Sequence, residues 1–346
     1  MTTEDDWQID PYLWDPAAPA SGDVQAVERA LAAARFDRVR RPLRRLPPLP
    51  ARRPTYGRAL FALAASAALL VAGVTAFWSW RWSWPASAPW PVTTEASSSN
   101  AMPVRGQLRI DQPMELGATT SARIEIARIG TMRVEPGSAL TLSMTSSARH
   151  RVLLDRGTVR VRVWAPPGRF AFQTPAGSVI DLGCIFDLSV DSGGTSRVRV
   201  DTGWVQLSNG WGEALVPAGA SSIMTAAVRP GVPIYDDSRP GFAVGVRALE
   251  HPLDEAGRAA AIDAVVQTAR ARDVLTLLML ANASEDLLKR PLLERAAELL
   301  PPPSGVTVEA IVAGNNGQLW RWYGTLDLPP AKSWWLNWRD ALPRPR

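Results

Sequence analysis

Residues 59–80 read ALFALAASAALLVAGVTAFWSW, 22 positions without a charge. At 1.5 Å per residue, a helix over this stretch is roughly 33 Å long, enough to cross a hydrocarbon core of about 30 Å. The competing reading is a buried helix of a soluble protein, and the flanks argue against it. Upstream, Arg35, Arg38, Arg40, Arg41, Arg44, Arg45, Arg52, Arg53 and Arg58 form a basic run interrupted by one acid, Asp37. Downstream, Trp78, Trp80, Trp82, Trp84 and Trp90 form an aromatic belt, with Arg81 the one charge among them. Arginines on one flank and tryptophans on the other orient a spanning helix at 58–80 with its N-terminal side in the cytoplasm. A cleavable signal peptide has a shorter apolar core near the start of the chain. Ala86, Ser87 and Ala88 imitate a cleavage site, but Pro89 follows directly, so a retained single-pass anchor is expected.

The composition sets further bounds. Thirty-eight basic against 33 acidic residues leave a net charge of +5 over 346 residues, too mild to imply nucleic-acid binding. The basic run before the helix could be read that way, but membrane topology already accounts for it, and no direct nucleic-acid partner is expected. A single cysteine, Cys184, excludes an intramolecular disulfide framework. One Cys with two His cannot build a thiolate or imidazole zinc site, so no metal or other cofactor is expected.

On the N-terminal side, residues 1–57 form a cytoplasmic segment. An acidic start (Glu4, Asp5, Asp6, Asp10) leads to Tyr12, Leu13, Trp14 and Asp15. A helix is expected from Asp23, capped by Ser21 or Asp23, with Val24, Val27, Leu31 and Ala34 on one face. Pro42, Pro47, Pro48, Pro50 and Pro54 then forbid helix and read as a stiff tether. One amphipathic helix cannot bury its face within so short a segment. It packs on a partner protein or lies on the anionic inner leaflet, unless the segment is a mostly disordered tail. Tyr12, Trp14, Val24, Val27 and Leu31 are the candidate partner-binding residues.

Beyond the helix, residues 81–101 are rich in Trp, Pro, Ser and Thr without periodicity and read as a linker. Residues 102–226 change to short alternating runs. In 158–164, Val159, Val161 and Val163 fall on one face and Arg160 and Arg162 on the other; 123–126, 197–200 and 204–207 alternate likewise. Turn signals separate the runs, among them Glu135-Pro136-Gly137, Asp155-Arg156-Gly157, Pro166-Pro167-Gly168 and Ser208-Asn209-Gly210. Such spacing means an all-β sandwich or roll. Residues 227–250 read as a second linker and 251–346 as a helical C-terminal region. Within it, helices are expected over 254–272, 273–281 and 284–300, with a kink or restart at Pro291 and a stop at Pro301-Pro302-Pro303. A last stretch starts at Thr307, with Asn315-Asn316-Gly317 as a turn. Trp320, Trp322, Tyr323, Trp334, Trp335 and Trp338 make an aromatic cluster that packs a small helical core or forms a contact surface.

Five pieces of the β region, taken in order, resemble the FecR domain of bacterial transmembrane signalling proteins: VEPGSAL (134–140), LLDRGTVRVRV (153–163), FAFQTPAGSVIDLGCIFDLSV (170–190), VRVDTGWVQL (198–207) and LVPAG (215–219). DPYLWD (10–15) and LLPPPSGVTVEAI (299–311) resemble a subgroup with a helical C-terminal extension. The N-terminal segment is shorter than the helical anti-sigma module such proteins often carry. The resemblance implies a membrane-anchored multidomain protein of the bacterial inner membrane. It would have a FecR-like all-β outer domain, one transmembrane helix and an α-helical C-terminal region, with the C-terminal domains in the periplasm. It also implies a role: a periplasmic or outer-membrane partner is sensed outside, and a cytoplasmic segment holds or releases an extracytoplasmic-function sigma factor.

Two residues carry a second implication. Where the family pattern has Leu-Gly-Thr, this chain has Leu182-Gly183-Cys184, and some relatives are thought to self-cleave at the Gly-Thr bond by an N-to-O acyl shift. A thiol at 184 supports the N-to-S equivalent at Gly183-Cys184, while a lone Cys between apolar strand residues also reads as inert packing. No enzyme is expected. His150 and His251 lack a nucleophile or carboxylate at motif spacing, and neither a GxxxxGK[ST] loop nor HExxH occurs. The alternative to signalling is a membrane-tethered envelope-binding or structural β module that never touches a sigma factor.

Overall fold

The computed structural model describes residues 11–13, 15, 17–34, 56–96, 102–251, 253–283 and 286–326. The chain divides into two compact units, Met1–Leu70 and Val71–Arg346. Described structure in the first unit is helical. A 3-10 turn at Pro11–Leu13 precedes helix α1 (Gly22–Leu31), which a second 3-10 turn extends over Ala32–Ala34. Helix α2 (Tyr56–Trp82) begins in this unit and contains no proline. Its Ala62–Trp82 stretch has a mean hydropathy of 1.8 and turns Leu63, Leu69, Leu70 and Val71 outward. Among the described residues it is the one helix long and apolar enough to cross a membrane.

The second unit holds a 15-stranded mixed sheet and a set of helices. Its strands are β1 (Trp90–Ala96), β2 (Val104–Leu108), β3 (Pro113–Glu115), β4 (Thr120–Ile126) and β5 (Gly130–Val134). Next come β6 (Ala139–Thr145), β7 (His150–Val163), β8 (Phe170–Thr174), β9 (Gly177–Asp181) and β10 (Ile185–Val190). Last are β11 (Ser196–Thr202), β12 (Trp204–Asn209), β13 (Gly212–Pro217), β14 (Ala220–Met224) and β15 (Ile234–Tyr235). Strand order runs β13-β12-β9-β8-β7-β10-β11-β14-β15, and β7 joins two layers. Its first half pairs with β6 and, in parallel, with β8; its second half pairs with β5 and β10. Asp155-Arg156-Gly157 reads in the sequence as a turn, yet the strand continues through it. Gly157, at φ +100°, bends the chain against Ser138 and carries it from one layer to the other. The alternating faces meet as their period requires: Val159, Val161 and Val163 are fully buried with Phe170, Phe172 and Phe186.

The expected linker at 81–101 is ordered over most of its length. Residues 90–96 are β1, paired with β2 and β4. Trp90 is not a belt residue: it is fully buried in the β core and donates its indole N–H to Thr145 (3.0 Å). The C-terminal end of α2 packs directly on the β domain. Arg128 donates to the carbonyls of Trp80 and Ser83, both at 2.8 Å, satisfying acceptors left over at the end of the helix. Arg81 lies 4.0 Å from the Trp164 ring, and Trp78 stands 5.3 Å from it.

The second expected linker, 227–250, likewise forms structure. Buried Ile234 and Tyr235 make β15, and Pro240 opens α3 (Pro240–Leu249), where its missing N–H costs nothing. Helices α4 (Glu255–Thr268), α5 (Val274–Ala283), α6 (Asp286–Leu299), α7 (Val308–Val312) and α8 (Asn316–Tyr323) follow. Asp254 caps α4 by accepting from the Gly257 N–H (2.8 Å), and Thr307 caps α7 by accepting from Ala310. Helix α6 runs through Pro291. The expected turn at 315–317 is instead the start of α8. Helix α5 is buried nearly all round: Leu275 belongs to the β core, Leu277 and Leu278 to the helical core, and Thr276 donates to the Pro233 carbonyl (2.7 Å). Trp322 is buried among the helices while Trp320 is exposed; Trp334, Trp335 and Trp338 lie outside the described residues.

Candidate functional site

Helix α1 gathers most of the predicted partner-binding residues. Ser21 holds the N-cap position in extended conformation, and Gln25 N–H bonds to its carbonyl (3.0 Å). Val24, Val27 and Leu31 then recur at helical spacing. No residue of α1 is buried: Val24 is half-buried, Val27 is 57% exposed and Leu31 60% exposed. Tyr12 comes to the same helix, its phenol donating to Glu28 (3.0 Å). Trp14 lies outside the described residues. The arrangement is an apolar stripe without cover from the described part of its own unit.

A different chemistry surrounds Gly183 and Cys184. Strand β9 ends at Asp181, the three residues Leu182, Gly183 and Cys184 turn the chain, and β10 begins at Ile185. Gly183 has φ +90°, a left-handed conformation that a side chain would strain. Gly203 passes so close that a Cβ there would lie 2.4 Å from the Gly183 carbonyl oxygen. The turn directs the backbone N–H of Cys184 onto Asp181 Oδ1 (2.8 Å), and the Cys184 thiol donates to the same oxygen. Both side chains are fully buried. Sequence reading identified Gly183 and Cys184 but missed Asp181, whose signal is the Asp-x-x-Cys spacing of a side chain accepting from a backbone N–H three residues on. A buried carboxylate next to a thiol is positioned to take its proton, and the Gly183 carbonyl belongs to the residue immediately before that thiol.

The histidines sit elsewhere. His150 is buried, its Nδ1 hydrogen-bonded to Thr145 (2.8 Å) and its ring edge-on to Trp90. Burial, then Arg169 and Arg151, lower its pKa to about 4, so it is neutral at ordinary pH. Among the described residues no group of three or more His, Cys, Asp or Glu side chains is placed to hold a metal ion.

No family model matches the chain. Comparison with curated proteins gives no match. Among solved structures, two crystal structures of a "putative anti-sigma factor" from Parabacteroides distasonis ATCC 8503, at 1.65 and 2.50 Å, are similar to it. Identity is 12% and 13%, with TM-scores of 0.31 and 0.32. Each match covers 40% of this chain and 65% or 64% of the other, so the chain spans just under two thirds of their length.

Proposed function

We propose that the protein is a single-pass regulator of the anti-sigma type. In this reading α1 binds an extracytoplasmic-function sigma factor in the cytoplasm, α2 crosses the inner membrane, and the β domain with its helical region receives a signal from a periplasmic or outer-membrane partner. The observation that carries it is the exposed Val27 and Leu31 stripe on α1, an amphipathic helix with no buried residue. An unburied apolar face at helical spacing is what a groove on another protein takes up. The ordered FecR-like motifs in the β region supply the class of partner. Supporting the transfer step, Arg128 and Trp164 grip the end of α2, so a change within the β domain has a fixed path into that helix. The ligand shifts the equilibrium only by its differential affinity for two states, and no catalytic group is required. Full-length protein in detergent, used as bait in a lysate of its own host, should enrich a sigma factor. Recovery of none gives the role to the tethered envelope module.

A second reading concerns Gly183-Cys184, and the Asp181 contact favours it. Asp181 accepts the thiol proton, Cys184 Sγ adds to the Gly183 carbonyl carbon, and the Gly183–Cys184 C–N bond breaks as the leaving nitrogen takes the proton back. The resulting thioester is hydrolysed by water, giving the Gly183 carboxylate, the Cys184 thiol and a new α-amine. Strand β10 lies between β7 and β11, so the two pieces would stay paired in the folded sheet. On a denaturing gel the purified protein should run as two fragments and Cys184→Ala as one band. An intact wild-type band that persists assigns Cys184 to packing.

A further inference from the structure

The layer containing β4, β5, the second half of β7, β10 and β11 turns one face to the core and the other to solvent, and arginines crowd one part of the outer face. Register places Arg123 on β4 opposite Arg133 on β5, and Arg133 opposite Arg160 on β7. Three guanidinium-bearing residues therefore stand abreast on neighbouring strands, about 5 Å per step. Arg162 stands one row further along β7, between Thr131 and Ile185. Like charges directly opposite each other destabilise a sheet, so counter-charge is needed nearby.

Part of the row has it. Arg160 is paired with Asp187 (3.1 Å) and with Asp201, and Arg199 with Asp201 (3.0 Å) and Asp236 (2.9 Å). Arg133 is paired with Glu135 (3.0 Å). Arg123 and Arg162 form no ion pair among the described residues, and Arg162 Nε is buried without a hydrogen-bond partner. The four arginines open onto one cleft of about 300 Å³, which the hydroxyl-bearing Thr131 and Thr202 also line. Asp201 is the acid in its wall, and Glu125 is exposed on the same face of β4, opposite Thr131.

We propose that this cleft is a binding site for a multivalent oxyanion, a ligand presenting two or more phosphate or carboxylate groups to Arg123, Arg133 and Arg162. Guanidinium forks match the planar edges of such groups two bonds at a time, and among the described residues neither Arg123 nor Arg162 is held in an ion pair. A ligand oxygen at Arg162 Nε supplies the acceptor that this buried donor lacks. The site is independent of the sigma-factor reading and of cleavage at Gly183.

Calorimetric titration of the full-length chain in an uncharged detergent tests the site, with sodium tripolyphosphate in one arm and citrate in the other. At about 0.1 M salt, attraction beyond roughly 10 Å is screened, which separates a site from a general basic surface. Saturable binding of at least one anion is expected, and the tighter arm tells phosphate from carboxylate. Arg162→Gln and Arg123→Gln should each weaken it about tenfold or more, the loss of one charge-assisted pair. Arg197→Gln, exposed on the same face but outside the cleft, should leave affinity within about twofold. Melting curves identify any variant that fails to fold, and because Arg123 is exposed its variant keeps the test open if Arg162→Gln unfolds. No saturable heat with either anion, or an Arg197→Gln loss equal to that of Arg123→Gln, overturns the proposal.

Discussion

Val159, Val161 and Val163 in β7 and Val24, Val27 and Leu31 in α1 are written by the same rule, apolar residues at the period of their own element. Their fates differ. The β7 valines are fully buried, whereas Val27 and Leu31 are more than half exposed. The difference lies in what each chain segment has to cover its face. Strand β7 has four neighbours across two layers and a set of aromatic residues above it; α1 is one helix in a short segment. Periodicity therefore specifies a face, and only the surrounding sequence decides whether that face becomes core or contact.

The sharpest way to break the comparison is to remove volume from the covered side. Phe172 is fully buried, edge-on to Phe170 at 5.0 Å and to Phe186 at 6.2 Å. Phe172→Ala should cost about 3–5 kcal/mol, because the sheet cannot close over the cavity. Chemical denaturation of the full chain, followed by tryptophan fluorescence, reads this directly. A loss below about 1 kcal/mol would mean the β core is far looser than its burial implies.

A smaller effect comes from two titratable groups that the β and helical regions enclose. Glu250, at the end of α3, accepts from the Val232 N–H (2.7 Å). Burial raises its pKa from 4.5 to about 7, with the Val232 hydrogen bond and Arg247 pulling the other way. The folded state thus holds a proton that the unfolded chain has already lost. This contribution is fully present below about pH 4.5 and disappears as pH rises through about 7. His150 has the opposite sign: its folded pKa of about 4 lies below the ordinary 6.5, so its contribution is lost as pH falls through that interval. The wild-type profile combines two opposing slopes. Glu250→Gln removes one of them, and the stability difference between wild type and variant should fall by about 1–3 kcal/mol from pH 4.5 to 7. Parallel profiles for the two proteins would show that Glu250 is solvated.

Much of the architecture was legible from pattern alone. The alternation in 158–164, the apolar run at 59–80, and the helix starts at 254 and 307 all encode local structure. What was not legible needed a partner far away in sequence. Asp155-Arg156-Gly157 has turn chemistry, but Gly157 bends the strand without ending it, because pairing partners wait on both layers. Trp90 sits among belt-like tryptophans and two prolines, and only the Thr145 and His150 pocket, 55 and more residues on, turns it inward. At the candidate cleavage site, Gly183 and Cys184 stand out by type, whereas Asp181 acquires meaning only from the left-handed turn that folds it back. The arginine cleft is hidden for the same reason: Arg123, Arg133 and Arg160 lie on three strands, and register alone sets them abreast.

The smallest effect on stability should accompany the most specific loss of function. Val27 and Leu31 touch too little of their own chain for truncation to destabilise it, so Val27→Ala with Leu31→Ala should leave denaturation unchanged within about 0.5 kcal/mol. Exchanging the same pair for Asp should equally spare the β core, because its residues belong to the other compact unit. If the proposed anti-sigma role holds, capture of a sigma factor by the full chain should nonetheless fall about tenfold or more with the Asp pair, since two charges would then have to enter an apolar groove without partners. Alanine at both positions should give an intermediate loss, as it removes contact area without adding a charge. A double-Asp protein that still captures the sigma factor at the wild-type level would move the contact off this stripe. Tyr12 would then be the next residue to test, because its hydrogen bond to Glu28 places it against the same helix.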